Sequence, residues 1–156
     1  MSSTNLHVPA NSSRIPPRVG ALLRFAWEKV RERIYTGVCQ DGFDDLNPAH
    51  VAMFRYEGLD GKRPSQLTEQ MQITKQSIHD LLRRLEDCGY IEFQEDPSDR
   101  RARLISLTAR GRKLGAAVQK YADAAELELE QQLGSKRFRE FLATLQIIAS
   151  GAGQSA

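Results

Sequence analysis

The stretch ITKQSIHDLLRRLEDCGYIEFQEDPSDRRARLISLT, residues 73–108, combines one helical pattern with two strand patterns. Its first part begins at Thr74, a favourable N-cap, and carries apolar residues at steps of three and four. We therefore predict a helix from Thr74 to Cys88. A shorter helix is predicted before it, capped by Ser65 and ending near Met71. Two helices joined by so short a turn indicate a helix-turn-helix.

Two strand-like runs follow this helix, Tyr90–Glu95 and Ala102–Leu107. The segment between them, Asp96–Arg101, is rich in residues that favour turns, including Pro97. We predict a β-hairpin with Asp96–Arg101 as its loop. Such a hairpin beside a helix-turn-helix is a wing, so the quoted stretch predicts a winged helix.

The helix from Thr74 to Cys88 has one apolar and one polar side. Its apolar side is expected to pack on the domain, and its polar side carries groups that can read base edges in a major groove. Gln76 can pair in bidentate fashion with adenine, and Arg83 with guanine. Short hydroxyls in the first turn can hold a phosphate. The predicted DNA-binding residues of the helix-turn-helix are Ser65, Thr74, Lys75, Gln76, Ser77, His79, Arg83 and Arg84.

Arginines are concentrated on and beside the predicted wing loop. Arg100, Arg101 and Arg103 have no evident role in a core, whereas arginines on a projecting hairpin can enter a narrow minor groove or hold phosphates. Asp99 is close enough in sequence to hydrogen-bond the guanidinium of Arg101 and fix its direction. We therefore add Asp99, Arg100, Arg101 and Arg103 to the predicted DNA-binding residues.

Helices are predicted on both sides of the winged helix. Residues 17–40 have the spacing of an amphipathic helix, and a second helix should begin at the pair Asn47-Pro48 and run to Glu57. Thr108 caps a long helix over Ala109–Leu133, and Ser135 caps a last helix. The apolar residues of that last helix have a period near 3.5, which suits packing against another helix.

The predicted fold class is mainly α with a small β-wing, a winged helix-turn-helix domain with dimerisation helices at both ends. We assign residues 41–107 to the DNA-binding domain, 17–40 to the first dimerisation helix and 108–150 to the C-terminal dimerisation helices. Residues 1–16 and 151–156 are polar and are expected to be flexible tails.

Composition excludes several classes of protein. The 156 residues include no apolar run that could cross a membrane, so we expect a cytoplasmic protein without a membrane partner. The net charge is only +2, but residues 62–120 hold twelve basic and eight acidic side chains, which favours a basic surface there. The three histidines, His7, His50 and His79, belong to no nucleophile or metal motif. We expect no catalytic residue, no metal and no cofactor.

The quoted stretch resembles the MarR family of regulators. The resemblance rests on the join Leu85-Glu86 to Gly89–Glu92, on the Asp-x-Arg of Asp99 and Arg101, and on Leu107-Thr108 followed by Gly111. It extends over about Pro17–Ala149, because the order and length of the other helices agree. It implies a homodimer that binds an inverted-repeat operator in double-stranded DNA and represses transcription until a small aromatic effector binds. In this family Arg101 would be the minor-groove residue and Asp99 its orienter.

Two departures from the family pattern concern Gln72 and Cys39. Many members have glycine between the two helices of the helix-turn-helix, so a left-handed conformation at Gln72 would cost about 1 kcal/mol or more. Members that sense peroxide keep a reactive cysteine near the start of the first helix, whereas Cys39 falls at its end.

The resemblance also implies an effector pocket. Amphipathic side chains occur where the family forms its cleft, at Trp27, His50, Phe54, Tyr56 and Tyr121. Two alternative functions stay open at this point. One is a winged-helix module that docks proteins without binding DNA, which would need no arginines on the wing. The other is a regulator that senses redox state through Cys39 or Cys88.

Overall fold

The structure, a computed structural model, describes residues 18–55 and 59–151. This part of the chain forms six helices and one two-stranded antiparallel sheet, so the predicted fold class is confirmed. The predicted tail at 1–16 and most of that at 151–156 lie outside the described residues. The elements are α1 (Val19–Gln40), α2 (Pro48–Met53), α3 (Pro64–Met71), α4 (Lys75–Asp87), β1 (Ile91–Asp96), β2 (Asp99–Leu107), α5 (Ala109–Leu133) and α6 (Ser135–Ser150).

The helices α1 and α5 pack against each other in antiparallel fashion. Two ion pairs mark the register: Arg33 lies 2.7 Å from Glu128, and Lys120 lies 2.9 Å from Asp41. Between them Gly37 of α1 faces the ring of Tyr121, and a Cβ atom at Gly37 would lie only 2.2 Å from that ring. Glycine at this position therefore permits the close approach of the two helices.

The short helix α2 has a capping box at its N-terminus. The Asn47 side chain accepts hydrogen bonds from the backbone of Ala49 and His50, and His50 Nδ1 accepts one from the Asn47 backbone at 3.3 Å. The predicted start of this helix is confirmed. Its predicted end is not, because α2 stops at Met53 with Phe54 as its C-cap, and Glu57 and Gly58 lie outside the described residues.

The helix-turn-helix consists of α3, a tight turn and α4. The turn contains Gln72 in the left-handed region at φ 53°, as anticipated for this position. Thr74 caps α4 as predicted, since its hydroxyl accepts from the Ser77 backbone at 3.1 Å. The prediction that Ser65 caps α3 is wrong: Arg63 is the N-cap, and Pro64 occupies the first turn, a position that suits proline.

The wing is longer and more tightly turned than predicted. Strand β2 begins at Asp99, which pairs with Asp96, so only Pro97 and Ser98 connect the strands. The prediction of a six-residue loop over Asp96–Arg101 is therefore wrong. A register shift follows at once, because the next pair is Glu95 with Arg103, and Arg100–Ala102 bulge out of the ladder.

The two C-terminal helices are separated by Gly134 alone. Thr108 caps α5 as predicted, with its hydroxyl accepting from the Gly111 backbone at 3.1 Å. Gly134 has φ 81°, ends α5 and is also the N-cap residue of α6. Ser135 is thus already inside α6, and its predicted capping role is wrong.

The core lies where α1, α2, α4 and α5 meet the sheet. Tyr90, Leu85 and Leu114 are fully buried at its centre. Apolar side chains remain exposed on α1, on α5 beyond its middle and on α6, namely Val19, Leu22, Leu23, Trp27, Leu127, Leu133, Phe141, Ile147 and Ile148. Within residues 18–55 and 59–151, every helix falls short of the length or apolar content needed to cross a membrane.

Candidate nucleic-acid interface

The helix α4 presents a polar face to solvent. Ile78, Leu82 and Leu85 are buried against the domain, as the helical wheel predicted. Residues on the opposite side are exposed, including the predicted base readers Gln76 and Arg83. The buried apolar side fixes the rotation of α4 about its axis, so the polar side faces outward.

Neighbouring side chains on the polar face are paired one helical turn apart. Gln76 Nε2 donates to Asp80 Oδ1 at 2.9 Å, and Arg83 Nη2 lies 2.9 Å from His79 Nε2. These contacts reduce the rotamer freedom of the two predicted base readers. An amide and a guanidinium held in this way retain donors that can reach base edges.

A groove of about 440 Å³ lies between α3, α4 and β1. Its floor is apolar, and its rim carries hydroxyl, amide, ammonium and imidazole groups. The rim brings together four of the predicted DNA-binding residues from two helices. The lining residues are Pro64, Ser65, Thr68, Lys75, Gln76, Ile78, His79, Leu82 and Phe93.

Three further predicted residues lie near the ends of α4. Thr74 and Ser77 form a hydroxyl pair at 2.9 Å in the first turn, beside the rim residue Lys75. Arg84, also a predicted DNA-binding residue, is exposed near the other end of α4. Its Nη2 donates to the Asp45 backbone carbonyl at 3.1 Å, in the loop between α1 and α2, so this guanidinium supports the position of α4.

The wing arginines Arg100, Arg101 and Arg103 are all exposed. Asp99 Oδ1 accepts a hydrogen bond from the Arg101 backbone at 3.0 Å, and its other oxygen lies 3.9 Å from Arg63. The predicted contact between Asp99 and the Arg101 guanidinium is therefore replaced by a backbone contact. Asp99 shapes the bulged chain that carries the arginine.

A second acidic residue, Asp96, anchors the wing turn. It is only 5% exposed, and it accepts hydrogen bonds from the Ser98 backbone at 2.8 Å, the Ser98 hydroxyl at 2.6 Å and Arg63 Nε at 2.7 Å. The two bonds from Ser98 and the one from Arg63 lower the pKa of Asp96 to about 2. Its carboxylate is therefore ionised throughout the physiological range.

A partly exposed network, here called the strut, joins α4 to α5. The carboxylate of Asp45 accepts from Tyr90 Oη at 2.6 Å and from Arg110 Nη2 at 3.0 Å. Arg110 also donates to the carbonyl of Cys88, the C-cap of α4, at 2.5 Å and covers the Tyr90 ring at 4.3 Å. Burial opposes ionisation of Asp45, but the Tyr90 hydrogen bond and the Arg110 charge prevail and lower its pKa. The strut therefore ties the C-terminal end of α4 to the first turn of α5.

A family model described as MarR family matches residues 45–102, from the strut through α4 into the wing. The transcriptional regulator HosA of Escherichia coli O111:H- is 28% identical over 125 residues, which cover 78% of this chain and 93% of HosA. The crystal structure of MarR matches with a TM-score of 0.74 at 26% identity, covering 92% of this chain and 95% of MarR. The chain is similar to MarR-family proteins, in the family model over residues 45–102 and in overall structure. It is thus related to transcriptional regulators, and none of the relatives named here is an enzyme by name.

Two further similar structures contain ligands. The transcriptional repressor CouR, bound to a 23-mer DNA duplex, matches with a TM-score of 0.68 at 25% identity, covering 85% of this chain and 92% of CouR. The Mycobacterium tuberculosis protein Rv2887, in complex with salicylic acid, matches with a TM-score of 0.64 at 25% identity, covering 85% of this chain and 97% of Rv2887.

Among the described residues of the predicted effector pocket, His50 and Tyr121 each make a local contact away from Trp27. His50 is only 8% exposed and is committed to the α2 cap. Tyr121 Oη donates to Asp41 Oδ1 at 2.7 Å, near the C-terminal end of α1. Trp27 lies ten residues before Gly37, the contact of Tyr121, which separates them by about 15 Å along α1.

Trp27 and Phe54 are both adjacent to Arg55, Trp27 by contact and Phe54 in sequence. Trp27 is 49% exposed, and the Arg55 guanidinium lies 4.7 Å above its ring. Phe54, the neighbour of Arg55, is half-buried and packs edge-on against Tyr90 at 6.5 Å. Tyr56 lies outside the described residues.

The two cysteines are separate, half-buried free thiols. Cys88 is the C-cap residue of α4, on its packed side. Cys39 lies in the last turn of α1.

Sequence reasoning missed Arg63, Asp96 and the strut. The sequence Asp96-Pro97-Ser98 carried a usable signal, because an aspartate before such a turn commonly accepts from the backbone two residues on. Arg63 carried none, since its partner lies 33 residues away.

Proposed function

We propose that the protein is a transcriptional repressor that binds an inverted-repeat operator as a homodimer and leaves it when a small effector binds. The observation that carries the proposal is the exposed polar face of α4 beside the groove and the arginine-bearing wing. Gln76 and Arg83 have the chemistry to read bases in a major groove, and Arg101 has the chemistry to enter a minor groove. The DNA-bound structure of the related CouR supports the same use of this fold.

The proposed dimer is supported by the exposed apolar side chains of α1, α5 and α6. Val19, Trp27 and Leu22 on α1, with Ile147 and Ile148 on α6, would leave a large apolar patch in water. A second copy of the chain can cover these surfaces in a symmetric contact. Deletion of Ser135–Ala156 should then abolish both dimer formation and DNA binding. A folded monomer that still binds DNA after this deletion, seen by sedimentation, would contradict the architecture.

The test of DNA binding starts with selection of bound duplexes from random sequences, followed by footprinting. Fluorescence anisotropy then measures the affinity of each variant for the selected duplex and for a scrambled one, which distinguishes base contacts from phosphate contacts. Gln76→Ala or Arg83→Ala should lose about 1–3 kcal/mol per half-site on the selected duplex and little on the scrambled one. The matched control is Lys113→Ala, an exposed cation on α5.

Arg101→Ala should weaken binding to most sequences, with the largest loss at A·T-rich flanks. If each subunit neutralises about one phosphate through Arg101, the slope of log affinity against log salt should shrink by about two for the dimer. Unchanged affinity and slope would remove the wing from the DNA and favour the protein-docking function. Repression itself is measured by transcription from a promoter that overlaps the selected site, which should fall when the protein is added.

The proposed effector is a small aromatic carboxylate bound near Trp27, Phe54 and Arg55. The salicylic acid complex of the related Rv2887 supports this ligand class, and the guanidinium over the Trp27 ring supplies charge beside an aromatic surface. Trp27 is the sole tryptophan in the sequence, so its fluorescence reports on this place alone. Salicylate should change that fluorescence and release the selected duplex over one concentration range. Release without any fluorescence change would place the effector elsewhere.

A further inference from the structure

We propose that Arg63 is a positioning residue for the wing, which holds Arg101 at a fixed distance from α4. This inference rests on the proposed DNA-binding function. Arg63 is the N-cap residue of α3, far in sequence from the wing and outside every motif described above. Its side chain crosses to the wing turn, where it meets three different residues.

The guanidinium of Arg63 contacts three groups of the wing turn at once. Its Nε donates to Asp96 Oδ2 at 2.7 Å, and Nη2 lies 2.5 Å from the same oxygen and 3.3 Å from Ser98 Oγ. Its Nη1 lies 3.9 Å from Asp99 Oδ2. A planar group with five donors in fixed directions can make these contacts together, whereas a lysine ammonium cannot. The contacts define the position of the turn relative to α3.

The geometry connects Arg63 to Arg101 through Asp99. One oxygen of Asp99 faces Arg63, and the other accepts from the Arg101 backbone at 3.0 Å. Arg101 lies in the bulged part of β2, where the regular ladder does not fix the chain. The position of Arg101 therefore depends on the contacts of the turn, and those contacts depend on Arg63.

The same side chain also neutralises the turn. Asp96 is almost fully buried, and an ionised carboxylate there is stabilised by hydrogen bonds and a nearby positive charge. Asp99 adds a second carboxylate within 4 Å of the same guanidinium. Without Arg63, two acidic groups would face each other at the tip of a hairpin that has to approach DNA phosphates. The expected result is a displaced wing rather than an unfolded domain.

A second link fixes the base of the wing. The backbone of Ile105 in β2 pairs with Gly61 and Lys62, with N···O distances of 2.7 and 2.9 Å. The base thus stays attached to the segment before α3 even when the Arg63 side chain is removed. The Lys62 side chain donates to Gln70 at 2.6 Å. Lys62 is consequently a matched control, a neighbouring cation whose side chain makes that contact on α3.

The experiment measures binding of the full-length protein to a duplex selected by the wild type, prepared with A·T-rich and with G·C-rich flanks. The variants are Arg63→Ala, Arg63→Lys, Lys62→Ala, Arg101→Ala and the double variant Arg63→Ala/Arg101→Ala. The active fraction of each is determined by stoichiometric titration, so that a loss of folded protein is counted separately. Circular dichroism at the same temperature checks the helical content.

We expect Arg63→Ala to lose about tenfold in affinity for the A·T-flanked duplex, the size of one lost specific contact, and to lose most of the preference for A·T flanks. Lys62→Ala should keep that preference and lose about threefold or less, since it removes one screened charge. Arg63→Lys should resemble Arg63→Ala, because the charge is kept and the forked geometry is lost. The double variant should bind no more weakly than Arg101→Ala alone, because Arg63 acts through Arg101.

Three results would overturn the proposal. Additive losses in the double variant, or wild-type behaviour of Arg63→Lys, would make Arg63 a direct phosphate contact. A preference for A·T flanks that survives in Arg63→Ala would show that the wing does not need it. If Arg101→Ala itself has no effect, the proposed use of the wing fails. If instead Arg101→Ala weakens binding and Arg63→Ala behaves like Lys62→Ala, the wing binds DNA but Arg63 does not position it.

Discussion

Gln72 occupies a backbone conformation that residues other than glycine, asparagine and aspartate rarely adopt, at φ 53° and ψ 38°. The turn between α3 and α4 requires it, because the two helices meet there at an angle. Gln72→Gly removes the clash of the Cβ atom, while glycine loses more chain entropy on folding. We expect the free energy of unfolding to rise by about 0.5–1 kcal/mol.

Urea denaturation at a fixed protein concentration measures this change. Gln72→Ala is the matched control, since it removes the exposed side chain and keeps the Cβ atom. It should be no more stable than the wild type. Equal stability of the glycine and alanine variants would show that the left-handed turn is not strained.

His50 should make stability depend on pH. Burial lowers its pKa from the ordinary value near 6.5, and the positive charge of Arg84 lowers it further. The unfolded chain therefore takes up a proton at a pH where the folded chain does not. The free energy of unfolding should fall as the pH drops below about 6.5 and level off once the pH passes below the folded pKa.

His50→Gln isolates this contribution. Glutamine keeps an acceptor for the Asn47 backbone in the capping box and does not titrate. Urea denaturation at pH 8 and pH 5 should show a smaller loss of stability in the variant than in the wild type. The carboxylates with lowered pKa, Asp96 among them, respond at lower pH and affect both proteins alike. Identical losses would remove His50 from the pH response.

The conformations and contacts of single residues could be predicted from the sequence to different extents. Gln72 was identified because a turn of known geometry contained the wrong residue type for it. The exposed face of α4 was predicted because helical periodicity determines it. The Asp99 contact was assigned to the wrong atoms of Arg101, since sequence proximity alone does not distinguish a guanidinium from a backbone amide. The partner of Arg63 follows from the packing of α3 on the wing, which no local pattern encodes.

Among the elements, the pair α1 and α5 depends on one small residue. A methyl group at Gly37 would overlap the Tyr121 ring, which the Asp41 hydrogen bond holds in place. Gly37→Ala should lower the free energy of unfolding by about 1–3 kcal/mol, as overpacking does. Gly115→Ala in α5 is the matched control, because its added Cβ would lie 3.8 Å from Phe54, an ordinary contact.

Thermal unfolding followed by circular dichroism compares the two glycine variants. Gly115→Ala should raise stability by about 0.5 kcal/mol, since alanine favours a helix. Gly37→Ala should lower it despite the same gain in helix propensity. A stabilised Gly37→Ala variant would mean that α1 and α5 do not approach as closely as the structure has them.

The boundaries of elements were predictable where a single residue marks them. Thr108 and Gly134 delimit α5, and both bounds agree with the prediction. The caps assigned to Ser65 and Ser135 failed for a common reason, because residue type was given more weight than position. Pro64 before Ser65 is the better signal for a first turn. One glycine with positive φ can end one helix and begin the next, which leaves Ser135 no capping position.

At the scale of the whole molecule, the proposed dimer makes the spacing of half-sites the decisive variable. Two α4 helices related by a twofold axis would enter grooves about one helical turn, roughly ten base pairs, apart. Insertion of five base pairs between the half-sites should place them on opposite faces of the duplex. Affinity should then fall to the level of scrambled DNA, and insertion of ten base pairs should not restore it if the dimer is rigid. Anisotropy on the three duplexes measures this, and unchanged binding after the five-base-pair insertion would exclude a symmetric two-groove complex.

The strut gives α5 the properties of a lever arm. With 25 residues it is about 37 Å long, and Asp45, Tyr90 and Arg110 fasten α4 to one end of it. If the C-terminal end of α5 is held in the proposed dimer interface, a tilt of α5 by about 10° moves its N-terminal end by about 6 Å. That displacement is close to two base-pair steps of about 3.4 Å. A ligand that changes the angle between two long helices by about 10° would therefore take both α4 helices out of phase with the grooves, while every contact inside each winged domain stays as it is.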